Sequence, residues 1–366
     1  VAAELYVGLM SGTSLDGVDA VLASFDGRRI ECLASHHQAF DATIRTDALA
    51  LHERGHDELH RAALLGNRLA HAYADTVNAL LAKVSRDGTP PAIRAIGCHG
   101  QTVRHAPADG YTIQLNNPAL LAELTGITVI ADFRSRDIAA GGQGAPLVPA
   151  FHDAMFRTPD AHRVILNVGG IANLTNLAPG SVTTGFDCGP GNMLMDAWVQ
   201  QQRGQPYDQD GAWAATGTLL PELLERLMRH AFLALPPPKS CGREEFNLAW
   251  LQAQLIGNEV PEDVQATLAE FTARTVADAV LRHCGSPDEL YVCGGGAHNA
   301  HLMRLLAGQA VARRTTTTDL LGLPPDRVEA MAFAWLAWRT LHQEPGNLPA
   351  VTGAQGPRIL GAIYTA

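Results

Sequence analysis

Lysine is nearly missing from this 366-residue chain: it occurs only at Lys83 and Lys239, so the basic charge is almost all arginine. If phosphate is handled here, backbone amides, arginine or a metal ion must do most of it. Positive charge is scarce overall. The formal net charge of −10 argues against a general nucleic-acid binder and against a membrane-surface protein. No apolar run reaches the roughly 18 residues that span a bilayer, and the most apolar helical stretch, 330–338, is followed by Arg339. The N-terminus has no basic stretch leading into an apolar one, so no signal peptide is expected. Cys32, Cys98, Cys188, Cys241, Cys284 and Cys293 form no C-x-x-C pair and no zinc spacing. They read as buried thiols of a reducing compartment, and the protein as cytoplasmic.

What is present is the composition of a globular protein, 46% hydrophobic and 17% charged, at a length that suggests about two domains. Residues 5–10 and 18–25 read as strands across a turn at 11–17, and Asp26-Gly27 signals a hairpin into a third strand at 30–33. Apolar residues recur at helical spacing over 58–84. Short strands follow at 93–97, 111–115 and 128–131, with Asn117-Pro118 starting a helix between the last two. A glycine-rich loop spans 132–146. The opening pattern then recurs: strands at 164–168 and 171–177 flank Gly169-Gly170, and a third lies at 183–186. Helices dominate 192–283, interrupted by a surface loop at Pro236-Pro237-Pro238. A buried strand at 289–293, a helix at 325–341 and a last strand at 359–364 close the chain. The expected division is 1–135, completed by 345–366, and 136–344 with a helical insertion at 192–283.

Three glycine turns carry candidate chemistry. In the first, Gly12, Thr13, Ser14, Leu15, Asp16, Gly17, Val18 and Asp19 offer amides and hydroxyls to a phosphate, and Asp16 a metal ligand. Gly12 and Gly17 have P-loop spacing, but Val18-Asp19 and a strand follow where Lys-Ser/Thr and a helix should, so this is no Walker A site. The second turn holds Asn167, Gly169 and Gly170; alone it reads equally well as a common hairpin. The third, Gly294, Gly295 and Gly296 after a buried strand, lets a flat base or ribose lie against bare backbone. It is not G-x-G-x-x-G, and no acidic ribose partner follows, which excludes a dinucleotide fold. Asp187, at the end of its strand before Gly189-Pro190-Gly191, is placed like a general base, with Asn192 as helix N-cap. The bland alternative for Asp187 is a turn aspartate capping nearby amides.

Taken together, two glycine hairpins and a glycine-rich strand–helix turn resemble the actin, hexokinase and Hsp70 superfamily. More specifically, SGTSLDGVD (11–19), CHGQT (98–102), ADFR (131–134), GGQGAP (141–146), NVGGIAN (167–173), FDCGPGN (186–192), CGGGAHN (293–299) and VEAMAFAW (328–335) occur in the order of the anhydro-N-acetylmuramic acid kinase family. That resemblance runs from Tyr6 to about Trp338. It implies an α/β fold of two ribonuclease-H-like domains with mixed sheets, flanked by helices around a central ATP cleft. It implies hydrolytic opening of a 1,6-anhydro sugar with phosphorylation of O6, as part of cell-wall recycling. Asp187 would be the base, and Asp16 and Asp187 would hold Mg²⁺ through water. The first two turns would hold the phosphates and Gly294 to Gly296 the adenosine. Arg134 would meet the muramic carboxylate, His99 and Gln101 sugar hydroxyls, and Glu329 the substrate. A homodimer is expected, with no nucleic-acid or membrane partner. The alternatives are another actin-like kinase acting on an ordinary sugar or acyl hydroxyl, and a non-catalytic filament or chaperone ATPase.

Overall fold

The computed structural model describes residues 3–12, 14–27, 29–85, 89–242 and 245–366. The chain divides into two compact units, Val1–Phe151 with Arg327–Ala366, and His152–Asp326. Strands run in chain order β1 Glu4–Met10, β2 Gly17–Phe25, β3 Ile30–Ala39, β4 Ala95–Cys98, β5 Gln101–Ala106, β6 Tyr111–Leu115 and β7 Val129–Ala131. There follow β8 Arg163–Val168, β9 Ile171–Leu177, β10 Thr184–Pro190, β11 Glu289–Cys293, β12 Arg314–Thr317 and β13 Ala362–Tyr364.

In the first unit the sheet order is β13-β7-β4-β1-β2-β3. β1, β2 and β3 form an antiparallel meander, while β4 runs parallel to β1 and β7 parallel to β4. The third strand extends to Ala39, beyond the predicted 33, because its antiparallel pairing with β2 continues to Ala39 opposite Gly17. One face of the sheet packs on the Glu58–Val84 helix, whose Leu65, Leu69, Tyr73, Val77 and Leu80 recur at helical spacing and are buried with Val7, Leu9 and Val18. The opposite face packs on the Val328–Leu341 helix. A Cβ on Gly8 would stand 1.9 Å from the Ala330 carbonyl oxygen, and one on Gly97 2.0 Å from that of Phe333. Gly8 and Gly97 are register partners on adjacent strands. Their missing side chains therefore make one trough in which the helix backbone lies.

The sequence-based break after residue 135 differs from the observed one because the glycine-rich loop is tied to the C-terminal segment. Fully buried Asp137, in a short helix Ser135–Ala139, accepts hydrogen bonds from the Gly144 amide (2.8 Å), Asn347 Nδ2 (2.6 Å) and Thr352 Oγ1 (2.8 Å). The Val328–Leu341 helix, assigned from sequence to the second domain, belongs to the first unit for the trough reason above.

The second unit repeats the architecture. Its sheet order β10-β9-β8-β11-β12 corresponds strand for strand to β3-β2-β1-β4-β7, with the same antiparallel meander and two parallel additions. This is the ribonuclease-H-like topology, and the fold is α/β with two mixed sheets flanked by helices. The Pro261–His283 helix buries Leu268, Phe271 and Val276 against Leu166, Leu174, Phe186 and Val292. No helix among the described residues is long and apolar enough to cross a membrane.

Candidate functional site

In the second unit the polar motifs line up across the sheet. Asn167 of β8 pairs with Asn173 of β9, Asn173 with Asp187 of β10, and Asn167 with Cys293 of β11. Residues paired directly across strands share a face. Their neighbours Leu166, Val168, Leu174, Phe186 and Cys188 fill the helix-covered core on the other face. Three amide or carboxylate side chains thus form one row on the face away from that core. Asn173 and its place in this row were not singled out from sequence; the signal was a polar residue at an apolar-strand position.

Asp187 is inside β10, which continues to Pro190, rather than at the strand end; a bulge follows it, between Asp187 and Gly189. It is 9% exposed. The Asp187 amide donates to the Lys239 carbonyl at 3.1 Å, and the Cys241 amide donates to Asp187 Oδ2 at 2.9 Å. The stretch just after the three prolines, themselves read from sequence as a surface loop, therefore runs beside the strand and orients the carboxylate. The same carboxylate contributes, after burial, to pushing the Cys188 thiol far above its usual range.

The second and third glycine turns meet at the ends of β8 and β11, the carboxyl ends where parallel strands of α/β sheets present ligand crevices. The Asn192 amide donates to the Gly169 carbonyl at 2.8 Å and the Gly191 amide to that of Gly170 at 2.9 Å. Asn192 precedes the Met193–Arg203 helix but does not cap it with its side chain; its Nδ2 donates to the Val168 carbonyl at 3.2 Å. The glycines here serve two purposes. A Cβ on Gly294 would stand 2.3 Å from Asn167 Oδ1, on Gly296 2.3 Å from Val168 Cγ1, and on Gly17 2.4 Å from the Gln38 carbonyl oxygen, so these three are fixed by packing. At Gly12, Gly169 and Gly295 the nearest neighbours of such a Cβ are 3.8, 3.7 and 3.8 Å away. At those three turns a Cβ would make only ordinary contact, so packing does not require glycine there.

In the first unit the turn between β1 and β2 holds Ser14 Oγ donating to Asp16 Oδ1 at 2.7 Å, with Asp16 exposed and Leu15 buried in a left-handed conformation (φ 57°). Thr13 lies outside the described residues. Val18 is core, and Asp19 contacts His37 Nδ1 at 2.8 Å. Gln101 opens β5 and is fully buried; its Nε2 donates to the Gly12 carbonyl at 3.1 Å, and its Oε1 has no hydrogen-bond partner among the described residues. His99 lies 4.6 Å, centroid to centroid, from the Phe333 ring. Arg134 donates from Nε (3.2 Å) and Nη2 (2.9 Å) to His99 Nε2, and from Nη1 to the Gly144 carbonyl (2.8 Å). Burial, and then the Arg134 guanidinium, hold His99 well below the usual histidine range, so it is neutral with Nε2 as acceptor. Glu329 sits in the first turn of the Val328–Leu341 helix. The first unit thus brings His99, Gln101 and Arg134 together beside the first turn. Asp16 belongs to the first unit and Asp187 to the second. Among the described residues no group of three or more His, Cys, Asp or Glu side chains gathers to hold a metal ion.

Two units of one ribonuclease-H-like topology in a single chain, each opening on a glycine-turn hairpin, define the class of two-domain actin-like ATPases and sugar kinases. Comparison with known proteins narrows the class to one family. Its profile, described as anhydro-N-acetylmuramic acid kinase, matches residues 4–366. The chain belongs to the anhydro-N-acetylmuramic acid kinase family. The protein of that name from Thiobacillus denitrificans is 58% identical over 369 residues, covering 100% of this chain and 98% of its own. That from Nitrosospira multiformis is 55% identical over 366 residues, covering 100% of both. That from Chromobacterium violaceum is 56% identical over 365 residues, covering 99% of both. Likeness to solved structures is looser. The activator of the 2-hydroxyisocaproyl-CoA dehydratase from Clostridium difficile with bound ADPNP covers 93% of this chain and 96% of its own at 14% identity and a TM-score of 0.48, too low for its ligand to say anything of this chain.

Proposed function

We propose that this chain is an ATP-dependent kinase that opens the 1,6-anhydro ring of anhydro-N-acetylmuramic acid and yields N-acetylmuramic acid 6-phosphate and ADP, in cytoplasmic cell-wall recycling. The observation that carries the reading is similarity along the whole chain, at 55–58% identity, to proteins named for that activity. The fixed carboxylate of Asp187 in the polar row supports the chemistry. Water attacks the anomeric carbon and gives a proton to Asp187; the bond from that carbon to O6 breaks. O6 takes the γ-phosphoryl group, and the bond to the β-phosphate breaks to leave ADP. Two features suit Asp187 to the base role: an amide that orients one oxygen, and a strand support that cannot swing.

Phosphoryl transfer rests on positioning and charge stabilisation. The bare backbone at Gly12 and Gly169 suits phosphate oxygens, and that at Gly294 to Gly296 suits adenosine, with Gly295 the one that packing does not require. Exposed Asp16 beside Ser14 fits a hydrated Mg²⁺, which takes few direct carboxylates; Asp187 is its proposed second, water-mediated partner. When bound, that ion would neutralise charge on the transferred group. Arg134, already aligned by His99 and Gly144, is proposed to receive the lactyl carboxylate, a pairing guanidinium geometry favours. The buried Gln101 Oε1 and neutral His99 are proposed to meet sugar hydroxyls, and Glu329 the substrate. The active form is proposed to be a homodimer. ADP release tests the reading: it should depend on the anhydro-sugar. Release that proceeds equally without sugar, or only with plain N-acetylmuramic acid or glucose, would overturn it.

A further inference from the structure

A second site lies wholly within the second unit. Between β10, the short Ala231–Ala234 helix and the Pro261–His283 helix there is a cavity of about 220 Å³. Lys239, Arg229 and Arg282 line it, with His230 and His283, against one carboxylate, Asp278. Three basic side chains to one carboxylate in the lining is an unusual concentration in a chain of net charge −10. One of the three is a lysine, of which the whole chain has two.

Lys239 is 7% exposed. Its Nζ donates to the carbonyls of Phe232 (3.2 Å) and Leu233 (3.4 Å) and lies 4.6 Å from the Phe232 ring centroid. Among the described residues it has no carboxylate within ion-pair distance. Burying an ammonium is costly; the Asp187 carboxylate attracts this one only from beyond ion-pair distance, and two carbonyls take up two of its three donors. Arg229 and Arg282 stand at the mouth. Among the described residues each is held by an exposed pair one helical turn away, to Glu225 (2.5 Å) and Asp278 (3.4 Å). Such pairs contribute little, so both guanidinium groups are available to swing inward. After burial, Lys239 and then Arg282 hold His283 below its usual range, so both cations face this cavity.

We infer that this cavity binds a small oxyanion, phosphate or a phosphate monoester, with Lys239 as its buried ligand and Arg229 and Arg282 closing over it. The volume suits a ligand of that size and is below that of typical drug-sized sites. The site is coupled to the proposed base through the backbone, a link that rests on the reading of Asp187 given above. The Lys239 carbonyl accepts the Asp187 amide, and the Cys241 amide, two residues on, holds its carboxylate. An anion that draws Lys239 away from Phe232 and Leu233 therefore moves the segment that orients Asp187.

The test is calorimetric titration of the full chain with inorganic phosphate and, separately, with glucose 6-phosphate, each with the nucleotide site filled by Mg²⁺ and a non-hydrolysable ATP analogue. Saturable binding that weakens by at least about tenfold in both Lys239→Met and Arg282→Gln is expected, as for loss of a charge-assisted hydrogen bond. Arg282 is exposed, so its variant reports even if the lysine variant fails to fold. Tighter binding of the sugar phosphate than of phosphate assigns the monoester; the reverse order assigns the free ion. Absence of saturable binding, binding lost when the nucleotide analogue is present, or binding unchanged in Arg282→Gln would overturn the site. None of these readouts uses catalysis, so failure here is distinct from failure of the kinase reading.

Discussion

Replacing Gly97 with alanine tests how the first unit is built. The added Cβ would lie 2.0 Å from the Phe333 carbonyl oxygen, 2.8 Å from its carbonyl carbon and 3.0 Å from Ala337 Cβ. Ordinary contact begins near 3.4 Å, so the helix must lift by about 1.4 Å or the strand must sink. Neither has room. The obstructing atoms are helix backbone, and Ala330, Phe333, Ala334 and Ala337 around them are at most 1% exposed. Overpacking of this kind costs ~1–3 kcal/mol and occasionally more; with backbone rather than side chain in the way, we expect the upper end, ~3 kcal/mol. For a unit of this size that is a fall in Tm of roughly 6–12 °C. Trp335 and Trp338 are on the displaced helix, so urea unfolding followed by tryptophan fluorescence reads the change directly. Gly12→Ala is the control. Its Cβ would meet nothing within 3.8 Å, so its stability should stay within ~0.5 kcal/mol, while its KM for ATP should rise. Near-normal stability in Gly97→Ala, or equal damage from Gly12→Ala, would refute the sorting of glycines into packing and ligand-facing sets.

Asp187→Asn should fold and bind ATP, because the side-chain oxygen can still accept from Cys241, yet lose ~10²–10⁴-fold in turnover; near-normal ADP release would remove Asp187 from the base role. His152 is fully buried, and burial lowers it to about 3. Its folded value is depressed, so the unfolded chain binds more protons below about pH 6.5, and stability should fall as pH drops from there toward 3. The cost is ~1.4 kcal/mol per pH unit for one histidine. Between pH 6.5 and 5 the stability of the native chain relative to His152→Gln should decline by ~2 kcal/mol, as read by urea titration, and a constant difference would contradict this. Burial raises Cys98 and Cys284 to about 12, and burial and then the Asp187 carboxylate hold Cys188 well above the usual thiol range. A colorimetric thiol reagent at pH 8 should therefore modify at most Cys32 and Cys241, the two partly exposed of the six, before denaturation. Rapid modification of Cys98 or Cys188 in the native protein would count against the packing described.

Much of this was readable in the residues because local signals and tertiary packing agree. The Glu58–Val84 helix matched its apolar periodicity end to end, since that stripe is what the sheet buries. Asn117 does cap the Pro118–Thr125 helix, accepting from the Leu120 amide at 3.0 Å. The Val328–Leu341 helix shows the limit: it is apolar nearly all round, so periodicity says it is buried without saying which sheet it covers. Only the trough at Gly8 and Gly97 decides that, and those two residues are 89 positions apart. Asn192 had the right residue type and position for a cap, but its side chain is drawn to the Val168 carbonyl by the neighbouring turn. The row from Asn167 through Asn173 to Asp187 depends on register across three strands, and register is a tertiary property. The contact of Lys239 and Cys241 with Asp187 joins residues more than 50 positions apart, and prolines next to it gave the signal of an ordinary loop.

The most direct test of the account is the fate of one oxygen atom. With anhydro-N-acetylmuramic acid, ATP and Mg²⁺ in water enriched in ¹⁸O, mass spectrometry of the sugar product should find the heavy atom on the anomeric carbon and the phosphate on O6, one label for each ADP formed. Product in which phosphate has been added but the ring remains closed, or ADP formed with no labelled sugar, would contradict it.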